Sequence, residues 1–116
     1  MNAIKTSQIE IKKSKFIGLL YEVKTTEEVE EILNYLAKEH KKARHIPYAY
    51  KIGPHAKKTD DKEPSGTAGT PIWNVIDRNE LDGVLIAVVR YFGGTKLGAG
   101  PLLRAYKDAA NALLKD

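Results

Sequence analysis

The stretch from Val84 to Tyr106 constrains this chain more than any other. Val84 to Phe92 is a continuous apolar run ended by Arg90, the signature of a strand buried on both faces or nearly so. Four glycines then fall within eight residues, Gly93, Gly94, Gly98 and Gly100. Leu102, Leu103, Tyr106, Ala109, Ala110, Leu113 and Leu114 follow as the apolar side of a helix. Glycine lets backbone approach a ligand closely, and a helix N-terminus adds unpaired N–H groups at the positive end of a dipole. Arg90, Lys96 and Arg104 bring positive charge to the same junction, so a phosphate-like anion is the expected ligand. The spacing matches neither a Walker loop nor a dinucleotide fingerprint. Pro101 removes one amide from the helix start. The competing reading is a glycine-lined turn that helix and strand need in order to pack.

The rest of the chain supplies partners for that strand. Ile9 and Ile11 alternate with charged residues as a first strand. After a tight connection at Ser14 and Lys15, Ile17, Leu19, Tyr21 and Val23 mark one face of a second. Thr25 and Glu28 are spaced as a capping box, ahead of a helical stripe of Val29, Ile32, Leu33 and Leu36. Glu27, Glu28, Glu30 and Glu31 begin this helix, and Lys38, Lys41, Lys42 and Arg44 end it, as the helix dipole favours. Arg44 to Ile52 reads as a third strand, with Pro47 suggesting an edge or a bulge. Gly53 to Gly69 reads as one long connection. Thr70-Pro71 opens a second helix carrying Ile72, Val75 and Ile76 on one face, with Trp73 to the side. The expected order is β-β-α-β-α-β-α over residues 1–116. It gives an α/β two-layer sandwich in which three helices cover one face of a four-stranded sheet.

Composition excludes several function classes. At 116 residues the chain suits one domain. No apolar run approaches the roughly 20 residues of a membrane helix. Met1 to Ile11 is broken by Lys5, Gln8 and Glu10, unlike a secretory signal. The absence of cysteine removes disulfides, thiolate chemistry and zinc sites built on sulfur, and fits a cytoplasmic location. A net charge of +4 permits RNA, DNA or an acidic protein surface as partner.

A second constellation is Asp60-Asp61-Lys62-Glu63-Pro64-Ser65-Gly66-Thr67-Ala68-Gly69-Thr70-Pro71. Asp60, Asp61 and Glu63 form an oxygen-donor set suited to Mg²⁺, or else cap helices and pair with Arg90 and Arg104. Ser65, Gly66 and Thr67 lead into a helix start and make a second possible anion cradle. His40, His45 and His55 lack metal-site spacing; Arg44 and His45 are further candidate site residues. Tyr48, Tyr50 and Tyr91 are strand aromatics of the kind that stack on bases, although such residues more often belong to a core.

At these residues the sequence resembles the IMPACT family, the YigZ-like proteins. The family pattern pairs an acidic Asp-Asp-x-Glu-Pro-Ser/Ala-Gly-Thr-Ala-Gly-x-Pro segment, here Asp60 to Pro71, with the strand–loop–helix segment Arg90 to Tyr106. Ala43-Arg44-His45 and Lys15-Phe16-Ile17 also match, so the resemblance spans almost the whole chain. It departs at Lys62 and Pro101, where glycine is usual. It also implies a further domain in relatives, with none expected after Asp116. The resemblance implies the fold of ribosomal protein S5 domain 2, with a left-handed β-α-β crossover where periodicity alone favours the right-handed form. Eukaryotic members of that family regulate translation by competing for the activator of an amino-acid-starvation kinase, and nucleic-acid binding has been proposed for bacterial ones.

The leading expectation is a non-enzymatic binding module in translation or its regulation, engaging RNA or a ribosome-associated protein without a cofactor. Arg90, Lys96 and Arg104 would contact the partner, and Gly93, Gly94, Gly98 and Gly100 would shape the surface. One alternative is a Mg-dependent enzyme of phosphoryl transfer or hydrolysis, with Asp60, Asp61 or Glu63 holding the ion. The other is a pure protein-interaction domain using the acidic segment or Trp73.

Overall fold

A computed structural model describes residues 1–115. Its elements are β1 (Lys5–Ile11), β2 (Ser14–Glu22), α1 (Thr26–Glu39), β3 (Tyr48–Ile52), β4 (His55–Thr59), α2 (Gly69–Arg78), β5 (Val84–Tyr91) and α3 (Ala99–Ala112). The sheet has five strands in the order β1-β2-β5-β3-β4, and each neighbouring pair is antiparallel. β2 and β3 therefore run the same way on either side of β5. Two parallel strands need a crossover rather than a hairpin, and α1 supplies it.

Two expectations are corrected here. The sheet has a fifth strand, because Gly53–Gly69 is not one connection. Ile52 pairs with His55 across a two-residue turn, and His55–Thr59 returns as β4. This strand carries His, Ala, Lys, Lys and Thr, with its first four residues exposed. A charged edge strand shows no apolar alternation to find, and its lysines discourage pairing with other chains. Since β4 forms the edge, β3 is interior. Pro47 sits just before β3, where its carbonyl accepts from the Val88 N–H.

The helices also lie on both faces, making three layers instead of two. Val29, Ile32 and Leu36 of α1 pack with Leu19, Tyr21, Leu85, Ala87 and Val89. Ile72, Val75 and Ile76 of α2 and Leu102, Ala105, Tyr106 and Ala109 of α3 pack with Phe16, Leu20, Ala49, Ile86 and Val88. Successive residues of β5 thus enter opposite clusters, which explains why its apolar run is unbroken. Each fully buried aliphatic side chain contributes about 1.5–3 kcal/mol, so this strand anchors both cores.

Local chemistry sets the boundaries. Thr25 accepts from the Glu28 N–H at 3.1 Å, while Glu28 reaches back to the Lys24 N–H at 2.9 Å. This is a capping box displaced by one residue on its return side. Lys12 and Lys13 join β1 to β2 at φ 48° and 68°, the left-handed pair that a two-residue hairpin turn demands. Among the described residues, no helix is long and apolar enough to cross a membrane.

Candidate functional site

The acidic segment and the glycine segment meet at one buried carboxylate. Glu63 is 7% exposed and Arg90 6%, the two charged side chains buried among the described residues. Arg90 Nη1 donates to Glu63 Oε2 at 2.6 Å, and the Tyr106 hydroxyl donates to the same oxygen. His45 Nε2 stands 3.6 Å from Glu63 Oε1. Phe16 closes the group from below, edge-on to Tyr106 at 5.1 Å and 5.6 Å from the Arg90 guanidinium. Burial raises the Tyr106 phenol, and its hydrogen bond to Glu63 raises it further, so the ring stays protonated and donates. Arg90 is the penultimate residue of β5 and Tyr106 lies within α3. One carboxylate therefore holds together the two elements that flank the glycine loop. Such a pair fixes geometry more than it adds stability, because desolvating both charges offsets much of their attraction.

The other acids of the segment are also committed internally. Asp60 accepts from the N–H groups of Gly66, Ala68 and Gly69 at 2.9, 3.1 and 2.8 Å. Burial alone would raise its carboxyl, but these three donors outweigh it and hold the group below its usual value. Asp61 accepts from the Ile46 N–H at 2.7 Å. Asp60, Asp61 and Glu63 thus turn to three separate partners instead of converging on one ion, and no cluster of metal-ligating side chains exists among the described residues. The anion cradle expected at Ser65, Gly66 and Thr67 is occupied by Asp60 from the same chain. Thr67 donates to the Pro64 carbonyl at 2.6 Å, and Ser65 is exposed.

The glycine loop divides into a packed half and an open half. A Cβ at Gly93 would lie 2.1 Å from the Lys13 carbonyl carbon and 2.3 Å from the Ser14 nitrogen. Its N–H donates to Ser14 Oγ at 3.1 Å, which fastens the loop to the β1–β2 turn. Gly94 follows at φ +93°, a conformation other residues rarely adopt. Leu97 packs down onto the core. Packing therefore accounts for Gly93, as a positive φ does for Gly94. Packing does not account for the second pair, since a Cβ at Gly98 or Gly100 would meet only Pro101 at 3.7 Å or Arg104 Nη1 at 3.5 Å.

The helix start beyond this loop is open. Gly98 is the N-cap of α3 and supplies no side-chain hydrogen bond, whereas Thr25 caps α1 and Asp60 serves α2. Arg104 folds back to within reach of Gly100, and Lys96 is exposed in the loop. Neither forms an ion pair among the described residues. Arg90, by contrast, faces inward. Phe92, which sequence reasoning did not single out, is 38% exposed, and the Arg44 guanidinium lies 4.4 Å over its ring. Lys13, Lys15, Tyr91 and Phe92 line a hollow beside it. The signal for this patch was an aromatic placed where β5 leaves the sheet, next to the cationic Arg44. Of the candidate pair Arg44 and His45, the first lies over Phe92 and the second stands beside Glu63.

The chain is similar to known proteins over most of its length. The Impact N-terminal domain family matches residues 12–114. The chain is 46% identical over 102 residues to IMPACT family member YvyE of Bacillus subtilis, covering 85% of this chain and 47% of that protein. It spans about half the length of the curated relatives it matches. A crystal structure of a hypothetical protein superposes with a TM-score of 0.92 at 35% identity, covering 97% of this chain and 57% of the other. The two-domain translational regulator Yih1 superposes with a TM-score of 0.57 at 22% identity, covering 93% and 45%, which is a likeness of fold. On the family match over residues 12–114 and the 46% identity to YvyE, the chain belongs to the Impact N-terminal domain family.

Proposed function

We propose that this chain is a non-enzymatic binding module in translation or its regulation, and that it engages RNA. The observation that carries this reading is the open start of α3, where Gly98 and Gly100 leave backbone accessible beside the unpaired Lys96 and Arg104. Backbone N–H groups and a helix dipole receive phosphate there. Phe92 with Arg44 adds an exposed aromatic of the kind on which unpaired bases stack. Membership of the Impact family and the name of Yih1 as a translational regulator support a place in translation. In this reading Arg90 acts from inside, holding Glu63 and so the loop. A ribosome-associated protein with an acidic face is the other partner this surface suits.

The geometry gives less support to the enzymatic alternative, since its three candidate Mg²⁺ ligands are each engaged elsewhere. The interaction reading built on the acidic segment gains less support because its carboxylates are engaged within the chain, and Trp73 is half-buried against the core.

Fluorescence anisotropy with labelled single-stranded and structured RNA at 50 and 200 mM salt tests the proposal. Two phosphate contacts to a single strand, from Lys96 and Arg104, correspond to a loss of roughly sevenfold in affinity across that range. Single-stranded RNA is expected to bind the more tightly, through Phe92. Absence of binding at 50 mM salt overturns the RNA reading.

A further inference from the structure

A groove between α2 and α3 lies apart from the glycine loop. Its walls repeat at helical spacing. Leu103, Lys107 and Asn111 form one ridge along α3, and Thr70, Asn74 and Arg78 form the other along α2. Residues eight apart on a helix are separated by about 12 Å, so each ridge is about that long. The floor is apolar, built on Pro71 and Val75, and Leu103 is 38% exposed at one end. Lys107 lies midway along the α3 ridge and Arg78 at the far end of the α2 ridge, with no carboxylate in the lining. Neither cation has an ion-pair partner among the described residues. Asp108, next to Lys107 in sequence, faces the adjoining hollow with Ile9 and Leu114 instead.

We infer that this groove docks an acidic peptide segment of a partner protein, held by an apolar side chain on Leu103 and Pro71 and by carboxylates on Arg78 and Lys107. Charge selects the occupant, because two unpaired cations on opposite walls of a carboxylate-free groove favour an anionic guest. Shape selects a chain over a compact ion, since Lys107 lies about one helical turn from Leu103 and Arg78 about two turns from Pro71. Asn74 and Asn111 amides along the ridges can pair with the guest's backbone. An amphipathic segment laid between two helices is a recurring mode of recognition. This site stands independently of the RNA reading, which rests on Lys96 and Arg104.

The test uses the full chain and a fluorescein-labelled ten-residue peptide in which leucine and phenylalanine alternate with glutamate. A matched peptide with lysine in place of glutamate is the control. The glutamate peptide is expected to bind and the lysine peptide not to. Leu103→Asn, and the pair Arg78→Glu with Lys107→Glu, should each weaken binding at least tenfold, while the RNA affinity of the charge-neutral Leu103→Asn stays within twofold of the unaltered chain. Should the double variant unfold, Lys107→Glu alone on the exposed face of α3 gives the same direction. Equal binding of both peptides, no binding, or binding that survives these substitutions overturns the inference. Loss of RNA binding in the double variant with the peptide still bound assigns the groove to nucleic acid and also overturns it.

Discussion

Glu63 connects two motifs that lie 27 residues apart in sequence from Glu63 to Arg90. Removing it leaves the Arg90 guanidinium buried without its charge partner, and Arg90 Nε already lacks a hydrogen-bond acceptor. Glu63→Ala should therefore cost roughly 3–5 kcal/mol. That lowers the thermal midpoint by about 10 °C or more for a chain of this size. Glu63→Gln keeps an oxygen for Tyr106 and should lose less. Calorimetry of both variants separates lost charge from lost packing. The glycines offer a paired contrast. Gly93→Ala drives a methyl into the Lys13–Ser14 peptide and should destabilise strongly. Gly100→Ala meets only the movable end of Arg104 and should stabilise α3 by about 0.5–1 kcal/mol, while weakening RNA by crowding the open helix start.

Among the elements, the loop ahead of α2 depends on Asp60. Asp60→Ala withdraws the acceptor of three backbone N–H groups and is expected to cost about 2 kcal/mol, read by denaturant unfolding. The folded carboxyl titrates below its unfolded value of 3.8. Its contribution is therefore complete above that pH and disappears as pH falls through the lower, folded value. The Asp60→Ala variant should show a shallower loss of stability below pH 4 than the unaltered chain. The Lys12-Lys13 turn works the other way. Replacing it with Asn-Gly, which suits two left-handed residues, should stabilise the β1–β2 hairpin. Legibility followed the same physics. Thr25, the stripe of α1 and the buried β5 could be read because cap chemistry and apolar period reflect local demands. β4 could not, because an exposed edge strand needs charge more than alternation.

At the scale of the whole molecule, both faces of the central strands are apolar, and that feature decides the layering. Phe16 and Leu20 point to one cluster, Leu19 and Tyr21 to the other. Three helices on one face would leave the other side of the unbroken apolar run of β5 uncovered, so the two-layer expectation is at odds with that run. The residues of the proposed site were visible as glycine and cation, but their division was not. Sequence cannot tell Gly93, packed on a neighbouring turn, from Gly98, open to solvent, because the difference depends on a contact 80 residues away in the chain. Nor can it tell Arg90, turned inward, from Lys96 and Arg104, turned outward. The proposed surface rests on those two outward cations, so its salt dependence is the direct measure. Affinity for single-stranded RNA should be followed from 50 to 300 mM salt for the unaltered chain and for Lys96→Ala with Arg104→Ala. The account predicts a logarithmic slope shallower by about 1.4 in the double variant, about 0.7 for each phosphate contact removed. An unchanged slope would contradict it.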